Sequence, residues 1–333
     1  MDWAEARIGA GRERRLFARM AARSGIRHRW SVLPPTDGGG SPVAAGGFYA
    51  GTTLPGTAAR MAIYAEAAPG LALRAVAALG ERVALDGITH LVVASCTGFV
   101  APGVDQIIAE RLGLPGSTER LLVGFMGCYA AVAALRQARH IVRSEPAARV
   151  LVICVELSTL HLQAVEAVEP LLAMLQFGDG AAAALVSADA DGLALERAFA
   201  TTLPQSAELI RWTITDQGFA MHLSGEVPGQ IAAGLGDADF RHAATGGRAP
   251  ADVDGWAVHA GGRSILDAVE TSLGLGQGAL AESRGVLADH GNMSSATLMF
   301  VLERMLARRV ENGVALAFGP GLAAEGFGFR SAA

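Results

Sequence analysis

The sequence predicts an α/β fold whose sheets are covered by helices on both faces. Short apolar segments rich in Val, Ile and Leu alternate with helical patterns along the 333 residues, and such strands are typical of sheets buried on both sides. Hydrophobic residues make up 51% of the chain and charged residues 18%, so a large core can form. The alternation recurs in the two halves, 1–190 and 191–333, and suggests a pseudo-twofold duplication.

The individual elements follow from local patterns. Apolar residues at helical spacing indicate helices, and β-branched runs bounded by glycine or polar turns indicate strands. Pro69-Gly70 should interrupt a helical segment, because proline lacks the amide hydrogen that a helix interior needs. We predict helices at 12–23, 57–68, 71–79, 103–112, 129–143 and 263–271. We predict strands at 88–94, 120–127, 150–156, 181–186, 256–259, 314–318 and 326–330.

Composition excludes several functional classes. The net charge of −5 gives no general attraction to nucleic acid. The chain contains no lysine, so Schiff-base chemistry, pyridoxal-phosphate attachment and a P-loop lysine are excluded. Three cysteines without a CxxC pair argue against a disulfide framework and a cysteine-rich zinc site. No HxxxH or HExxH spacing indicates a metal site.

Localisation and partners follow from the same features. No apolar run approaches the length of a membrane span, and residues 1–11 are charged where a signal peptide would be apolar. We therefore expect a cytoplasmic protein that does not span a membrane and acts on small molecules.

Cys128 is the first candidate for chemistry. It lies at the junction of a predicted strand and a predicted helix, where backbone amides and the helix dipole favour a thiolate and lower the thiol pKa. A packed core cysteine is the alternative. Cys154 lies among apolar residues of a predicted strand and is interpreted as core, whereas Cys96 ends a strand and can line a pocket.

Two further residues supply what a cysteine nucleophile needs, a base and a donor for negative charge on oxygen. His259 ends a predicted strand before Gly261-Gly262, and Asn292 follows Gly291 at the start of a helix. Each also fits a structural role, as a hydrogen-bonded core histidine or a turn asparagine.

These motifs together resemble those of the type III polyketide synthases, the chalcone and stilbene synthase family. The resemblance rests on three main motifs and extends over nearly the whole chain through shorter ones. The main motifs are Gly127-Cys128-Tyr129-Ala130-Ala131, Trp256-Ala257-Val258-His259-Ala260-Gly261-Gly262 and His290-Gly291-Asn292-Met293-Ser294-Ser295. The shorter ones are Thr97-Gly98-Phe99, Pro102-Gly103, Phe177-Gly178-Asp179-Gly180 and Phe318-Gly319-Pro320-Gly321.

The resemblance implies a homodimeric thiolase-like fold layered as αβαβα, in which 1–190 carries the nucleophile and 191–333 carries the histidine and asparagine. Cys128 would hold the acyl chain as a thioester and would pair with His259 as thiolate and imidazolium. His259 and Asn292 would bind the malonyl thioester oxygen while CO₂ leaves. Phe177 matches the gate between the CoA tunnel and the cavity.

Substrates rather than bound cofactors are implied, namely acyl-CoA starters and malonyl-CoA. Arg19 and Arg23 resemble positions that bind CoA phosphates, a role that suits arginine, although a solvated helix face is the alternative. We place the substrate-binding cavity at Phe177, Cys96, His161, Ala173, Trp212, Met221 and Ser294.

Departures from the family pattern affect the product. Ala260 replaces the usual proline, Ala317 replaces a common glycine, and Met221 takes the place of a second gatekeeper phenylalanine. Other segments, such as 25–33 and 216–219, resemble bacterial synthases of alkylpyrones or alkylresorcinols that start from fatty acyl-CoA. The product expected is a pyrone or a resorcinol- or phloroglucinol-type ring.

Two other functions compete with this one. A condensing enzyme similar to ketoacyl-ACP synthase III uses the same three residue types, but Phe177 and the Phe-Gly-Pro-Gly loop favour the polyketide synthase. A non-catalytic acyl-CoA-binding protein of the same fold is a second alternative. A thiolase would need another catalytic cysteine near the C-terminus, and none follows Cys154.

Overall fold

The computed structural model describes residues 2–9, 11–36 and 38–332. The helices are α1 (Asp2–Glu5), α2 (Arg12–Ala22), α3 (Thr57–Gly80), α4 (Val104–Arg111), α5 (Ala130–Ser144), α6 (Val168–Met174), α7 (Val227–Gly236), α8 (Ala238–Thr245), α9 (Arg263–Ser272), α10 (Ala281–His290) and α11 (Ser295–Met305). The strands are β1 (His90–Ser95), β2 (Glu119–Gly124), β3 (Val150–Leu157), β4 (Asp179–Val186), β5 (Leu193–Thr202), β6 (Ile210–Thr215), β7 (Gly218–Leu223), β8 (Gly255–Val258), β9 (Gly313–Gly319) and β10 (Ala323–Ser331).

Two four-stranded sheets organise the described residues. The first has the order β2-β1-β3-β4 and the second the order β5-β10-β9-β8. In the first, β1 is parallel to both β2 and β3, while β4 is antiparallel to β3. In the second, β8 and β9 are parallel and β10 runs antiparallel to both β9 and β5.

Helices separate and cover the two sheets. Helices α3 and α4 pack on the outer face of the first sheet, α5 and α11 contact strands of both sheets, and α8 and α10 pack on the second. The order of layers is αβαβα, which confirms the predicted thiolase-like architecture. The inner apolar cluster joins α5 and α11 to both sheets, through residues such as Val132, Leu298 and Phe327.

Each of the two sheets is built from one of the two halves proposed to be duplicated. All strands of the first sheet precede residue 190, and all strands of the second follow residue 191. A division into 1–190 and 191–333 stays a proposal that this order supports.

One predicted interruption is wrong. Helix α3 continues through Pro69, which lies inside the helix and is buried. An interior proline costs a helix about 3 kcal/mol, but α3 buries a face against the first sheet, through Tyr64, Ala68, Ala72 and Val76. Burial of that face offsets the local cost.

The continuous helix α3 also changes an expectation about membranes. Its 24 residues, with a mean hydropathy of 1.3 in the most apolar window, are long and apolar enough to cross a membrane by length and composition alone. In the fold one face of α3 packs against β3 and β4, and 28% of that apolar window is buried.

Candidate active site

The nucleophile candidate Cys128 lies in a tight turn between β2 and α5. The preceding Gly127 has φ +70°, and a Cβ added there would lie 2.6 Å from Pro320 Cδ. Glycine is therefore required by both the backbone and the close approach of the 318–321 loop. The turn leaves the residue Cys128 partly exposed at the start of the helix.

Asn292 is held rigidly by its backbone and by its side chain. Its amide Nδ2 donates to the Gly261 carbonyl at 3.1 Å, and its Oδ1 accepts from Ser294 N at 2.8 Å. Thr297 Oγ1 lies 3.4 Å from the same Oδ1. One Nδ2 hydrogen remains after these contacts, because a side-chain amide has two donors. That second hydrogen serves Cys128, whose pKa the hydrogen bond from the Asn292 side chain lowers.

His259 directly follows β8 and is 1% exposed. Its backbone amide donates to Leu316 O at 2.8 Å, which fixes the residue at the end of the strand. Neither Nδ1 nor Nε2 has a hydrogen-bond partner among the described residues. Buried polar atoms are rarely left unpaired, so the imidazole is available to a reacting group.

Asn292 and Ser294 link the nucleophile to the third motif. Hydrogen bonds from their side chains to Cys128 favour the thiolate, but burial outweighs them and raises the pKa of Cys128 to about 12. Burial also lowers the pKa of His259 to about 3. Desolvation thus opposes both charges of the thiolate–imidazolium pair expected from sequence. That pair stays a prediction.

Phe177 and Asn292 are joined through their backbones. They form an isolated parallel bridge, in which Asn292 N donates to Gln176 O at 2.7 Å and Gly178 N donates to Asn292 O at 2.9 Å. Phe177 is 7% exposed and its ring lies 6.5 Å from that of Trp212. The gate candidate is thus fixed beside the candidate donor.

The hairpin β6–β7, which the sequence analysis did not predict, brings Trp212 and Met221 to the same wall. These two residues are directly opposite each other in the hairpin. The Trp212 ring lies 5.9 Å from that of His161. The structure therefore assembles four of the proposed cavity residues: Phe177, Trp212, Met221 and His161.

His161 has both ring nitrogens occupied. Nε2 lies 2.7 Å from Thr97 O, and Nδ1 accepts from Phe219 N at 3.0 Å. Its ring stacks on Phe219 at 4.3 Å, and burial lowers its pKa to about 4. Only the ring surface remains for a ligand. Ala173, another proposed cavity residue, is buried in α6.

Glu156 was missed by the sequence analysis. This fully buried carboxylate ends an apolar stretch of β3 and accepts from Ser295 Oγ at 2.6 Å, Cys96 N at 3.0 Å and Thr97 Oγ1 at 2.9 Å. Burial raises its pKa. A single acid at the end of an apolar run was the available signal, since buried carboxylates need several partners.

The Glu156 network positions Cys96 and Ser294. Cys96 Sγ lies 3.4 Å from Ser294 Oγ and from both oxygens of Glu156. Ser294 has φ +49°, a strained conformation for a residue with a side chain. Cys154, by contrast, is completely buried in β3, where burial raises its thiol pKa. The core interpretation of Cys154 therefore agrees with its surroundings.

The two arginines proposed for CoA lie together at the end of α2. Arg19 is in its last turn and Arg23 follows it, and both are exposed. The Arg263 side chain donates to Arg23 O at 3.0 Å. Because Arg263 starts α9 directly after the Gly261-Gly262 turn, the arginine surface lies near the His259 motif. Among the residues described, no group of His, Cys, Asp and Glu could hold a metal ion.

The fold and the convergence of the cysteine, histidine and asparagine motifs define a condensing acyltransferase of the thiolase-like class. The N-terminal domain model of the chalcone and stilbene synthases matches residues 11–190, and the C-terminal domain model matches residues 194–333. The chain belongs to this family, the type III polyketide synthases, which extend an acyl-CoA starter with malonyl-CoA.

Two relatives have comparable similarity. An alpha-pyrone synthesis polyketide synthase-like protein, Pks18 of Mycobacterium tuberculosis, is 37% identical over 286 residues, 81% of this chain and 72% of the relative. Bisdemethoxycurcumin synthase of Oryza sativa subsp. japonica is 38% identical over 291 residues, 80% of this chain and 72% of the relative.

Solved structures share the whole fold. PKS-I from the brown alga Ectocarpus siliculosus has a TM-score of 0.84 at 32% identity and covers 96% of this chain and 89% of its own. The 1,3,6,8-tetrahydroxynaphthalene synthase of Streptomyces coelicolor has a TM-score of 0.86 at 27% identity, covering 100% and 94%. The C-terminal type III domain of Steely1 from Dictyostelium has a TM-score of 0.89 at 25% identity, also covering 100% and 94%.

Proposed function

We propose that Cys128, His259 and Asn292 are the catalytic residues of this synthase. The observation that carries the proposal is the buried His259 ring, whose two nitrogens have no partner among the described residues. Beside it, Asn292 retains one amide donor after its contact with Gly261 O. Hydrogen bonds from the Asn292 and Ser294 side chains lower the pKa of Cys128, and the residue remains partly exposed.

Loading begins from the neutral pair. As Cys128 Sγ attacks the starter thioester carbonyl, its proton passes to the acceptor nitrogen of His259 and then to the departing CoA sulfur. A neutral imidazole with a free nitrogen is the form that a general base requires. Cys128 then holds the starter as a thioester.

Extension uses a donor on each of two residues. The malonyl-CoA thioester oxygen lies between the protonated nitrogen of His259 and Nδ2 of Asn292 while the carboxylate leaves as CO₂. The electron pair forms an enolate whose oxygen both donors stabilise. The enolate carbon attacks the Cys128 thioester, the C–S bond breaks, and the lengthened chain remains on CoA until it is reloaded.

CoA thioesters are the substrates in this proposal, and no cofactor stays bound. Arg19 and Arg23 are exposed beside the Gly261-Gly262 turn, so their guanidinium groups can bind the CoA phosphates. Cyclisation to a pyrone is supported by the mycobacterial relative, whose name denotes alpha-pyrone synthesis, and a resorcinol-type ring is the alternative product. The apolar wall of Phe177, Trp212 and Met221 suits a fatty acyl starter.

We propose a cytoplasmic homodimer. Strand β2 is an edge strand with exposed leucines, and a cluster of exposed apolar side chains surrounds it, consisting of Leu121, Leu122, Phe99 and Phe125. Such a patch marks an interaction surface, and twofold pairing of identical patches is the commonest assembly.

The test is a reaction of the purified chain with malonyl-CoA and acyl-CoA starters of increasing length, with products identified by mass spectrometry. We expect the starter mass on Cys128 and release of pyrone or resorcinol products. Cys154→Ala serves as the matched control and should keep the acyl-enzyme. Product formation that requires an acyl carrier protein would contradict the proposal and favour the ketoacyl-ACP synthase alternative.

A further inference from the structure

Arg60 is a fully buried arginine in the first turn of α3. Arginine is almost never fully buried unless it is paired with an acid. In the described part of the chain, however, the hydrogen bonds of Arg60 all go to main-chain oxygens. The Tyr49 ring, whose centroid lies 5.3 Å from Cζ, faces its charge. A buried cation with such partners calls for an explanation.

The guanidinium of Arg60 connects two segments to α3. Its Nε donates to Pro55 O at 2.8 Å, and its Nη1 donates to Leu160 O and to Leu162 O, both at 2.8 Å. Leu160 and Leu162 are the residues on either side of His161. One nitrogen of Arg60 therefore fixes the main chain before and after this histidine.

The surroundings of His161 define one tautomer of its ring. Nδ1 accepts from Phe219 N at 3.0 Å, so this nitrogen carries no proton. Nε2 therefore carries the ring proton and donates to Thr97 O at 2.7 Å. With the ring also stacked on Phe219 and 5.9 Å from the ring of Trp212, the imidazole has one orientation in the cavity wall.

Gly218 is where the hairpin β6–β7 approaches both Arg60 and His161. A Cβ added to Gly218 would lie 2.8 Å from Arg60 Nη1 and 3.1 Å from His161 Nδ1. The φ of Gly218 is +90°, so the backbone and the close approach both require glycine. Its amide also donates to Thr57 Oγ1 at 2.7 Å. The first turn of α3 is thus bonded to the hairpin that carries the rest of the cavity wall.

The shape of the arginine side chain suits this position. A guanidinium presents its donors in a rigid planar fork, whereas a lysine ammonium is a single point charge on a flexible stem. At position 60, a lysine Nζ would replace Cζ and would end one bond short of the place of Nη1. Only the fork can reach Pro55 O and the two leucine carbonyls together.

We propose that Arg60 is a positioning residue for the acyl cavity. By binding Leu160 O and Leu162 O, it holds the His161 ring in one tautomer against Trp212, and this fixed wall determines which length of acyl chain the synthase accepts. Arg60 acts through His161 and not by contact with the acyl chain. The inference rests on the proposed function, which places His161 in the substrate cavity.

The first experiment needs no substrate. Nitrogen-15 NMR of protein labelled at histidine should show His161 as a single neutral tautomer with the proton on Nε2. The loss of its signals in His161→Ala assigns them. In Arg60→Lys, which keeps the charge but not the fork, the His161 signals should split or broaden as the ring exchanges between tautomers.

The second experiment measures starter selectivity. We compare kcat/KM for the best acyl-CoA starter with kcat/KM for a starter two carbons longer. This ratio should fall about tenfold in Arg60→Lys, since a hydrophobic pocket distinguishes one methylene by about 10–200-fold. It should fall at least as far in His161→Ala. The double variant should match His161→Ala, because contributions that act through one residue are not additive.

Arg149 provides the matched control. It also binds main-chain carbonyls, donating to Asp86 O at 2.8 Å and to Ala84 O at 2.6 Å. It precedes β3, however, and so lies at the end of that strand opposite to the turn Ser158–His161. Arg149→Lys should lower Tm and leave both the selectivity ratio and the His161 signals unchanged.

Three results would overturn the proposal. The first is a wild-type His161 that populates both tautomers. The second is wild-type selectivity in folded Arg60→Lys. The third is an additive loss in the double variant, which would mean that Arg60 acts on the cavity by a route other than His161. A wild-type chain that extends no starter would instead refute the proposed function, and the NMR measurement would still decide whether Arg60 positions His161.

Discussion

Replacement of Asn292 by alanine should separate loading from extension. The substitution removes the amide hydrogen that remains after Nδ2 donates to Gly261 O. Loss of one of two oxyanion donors lowers the rate by about 10²–10³-fold, or ~2.7–4 kcal/mol. Loading needs only Cys128 and His259, so its rate should change by less than about tenfold.

Stability will also change, and this effect must be distinguished from catalysis. Asn292→Ala leaves Ser294 N without its acceptor at 2.8 Å, at a cost of ~1–3 kcal/mol. Thr297→Val is the matched control, because Thr297 Oγ1 accepts from Met293 N at 2.7 Å and contacts Asn292 Oδ1. It should destabilise the same turn while leaving the Asn292 donor in place.

Two assays measure the steps independently. Intact-protein mass spectrometry measures the starter on Cys128, and release of acetyl-CoA measures decarboxylation of malonyl-CoA. Asn292→Ala should load the starter and should not decarboxylate malonyl-CoA. Thr297→Val should do both, and its unfolding midpoint should fall by the amount expected for one lost hydrogen bond. Wild-type decarboxylation by Asn292→Ala would refute the donor role and leave the residue a turn asparagine.

Three further outcomes are expected. The double replacement of Arg19 and Arg23 by alanine should raise KM for malonyl-CoA with little change in kcat or Tm. Arg15→Ala on the same helix should leave KM unchanged. An unchanged KM in the double variant would mean that the two arginines form only a solvated helix face. The rate at which iodoacetamide labels Cys128 should rise about tenfold per pH unit between pH 7 and 10, since the Cys128 pKa of about 12 lies above that range. Cys154 should stay unlabelled. A labelling rate that is flat from pH 6 upward would instead indicate a preformed thiolate. Sedimentation should show a dimer at micromolar concentration, and a stable monomer would contradict the proposed assembly.

The positions of the three motif residues could be predicted because each follows a local rule. Cys128 lies in a glycine turn after β2, and His259 directly follows β8 before two glycines; such loops at strand ends are where functional side chains are commonly placed. Asn292 lies between Gly291 and a serine pair, a pattern that indicates a turn before a helix. The same periodicities predicted strands β1 to β4 and β8 to β10, but not strands β5 to β7 or helices α6, α7, α8 and α10.

The electrostatic state of the site could not be predicted in this way. Proximity of Cys128 to a helix start suggested a lowered thiol pKa, but the pKa depends on how many atoms exclude water around the sulfur. Those atoms come from segments far apart in the chain, as they do for Glu156, whose partners Cys96 and Ser295 lie in two other elements. The path of α3 through Pro69 likewise depended on burial against a sheet.

Because Phe177 and Asn292 are bridged through their backbones, a side-chain exchange at Phe177 and a change in loop length at 176–178 affect the site differently. Exchanging the Phe177 side chain changes the shape of the passage while the hydrogen bonds of Gln176 O and Gly178 N to Asn292 persist, since these use main-chain atoms alone. Inserting or deleting one residue at 176–178 would instead break these backbone contacts and displace Asn292. A point substitution at the gate therefore changes the passage without moving the backbone of Asn292, whereas a change in loop length cannot do so.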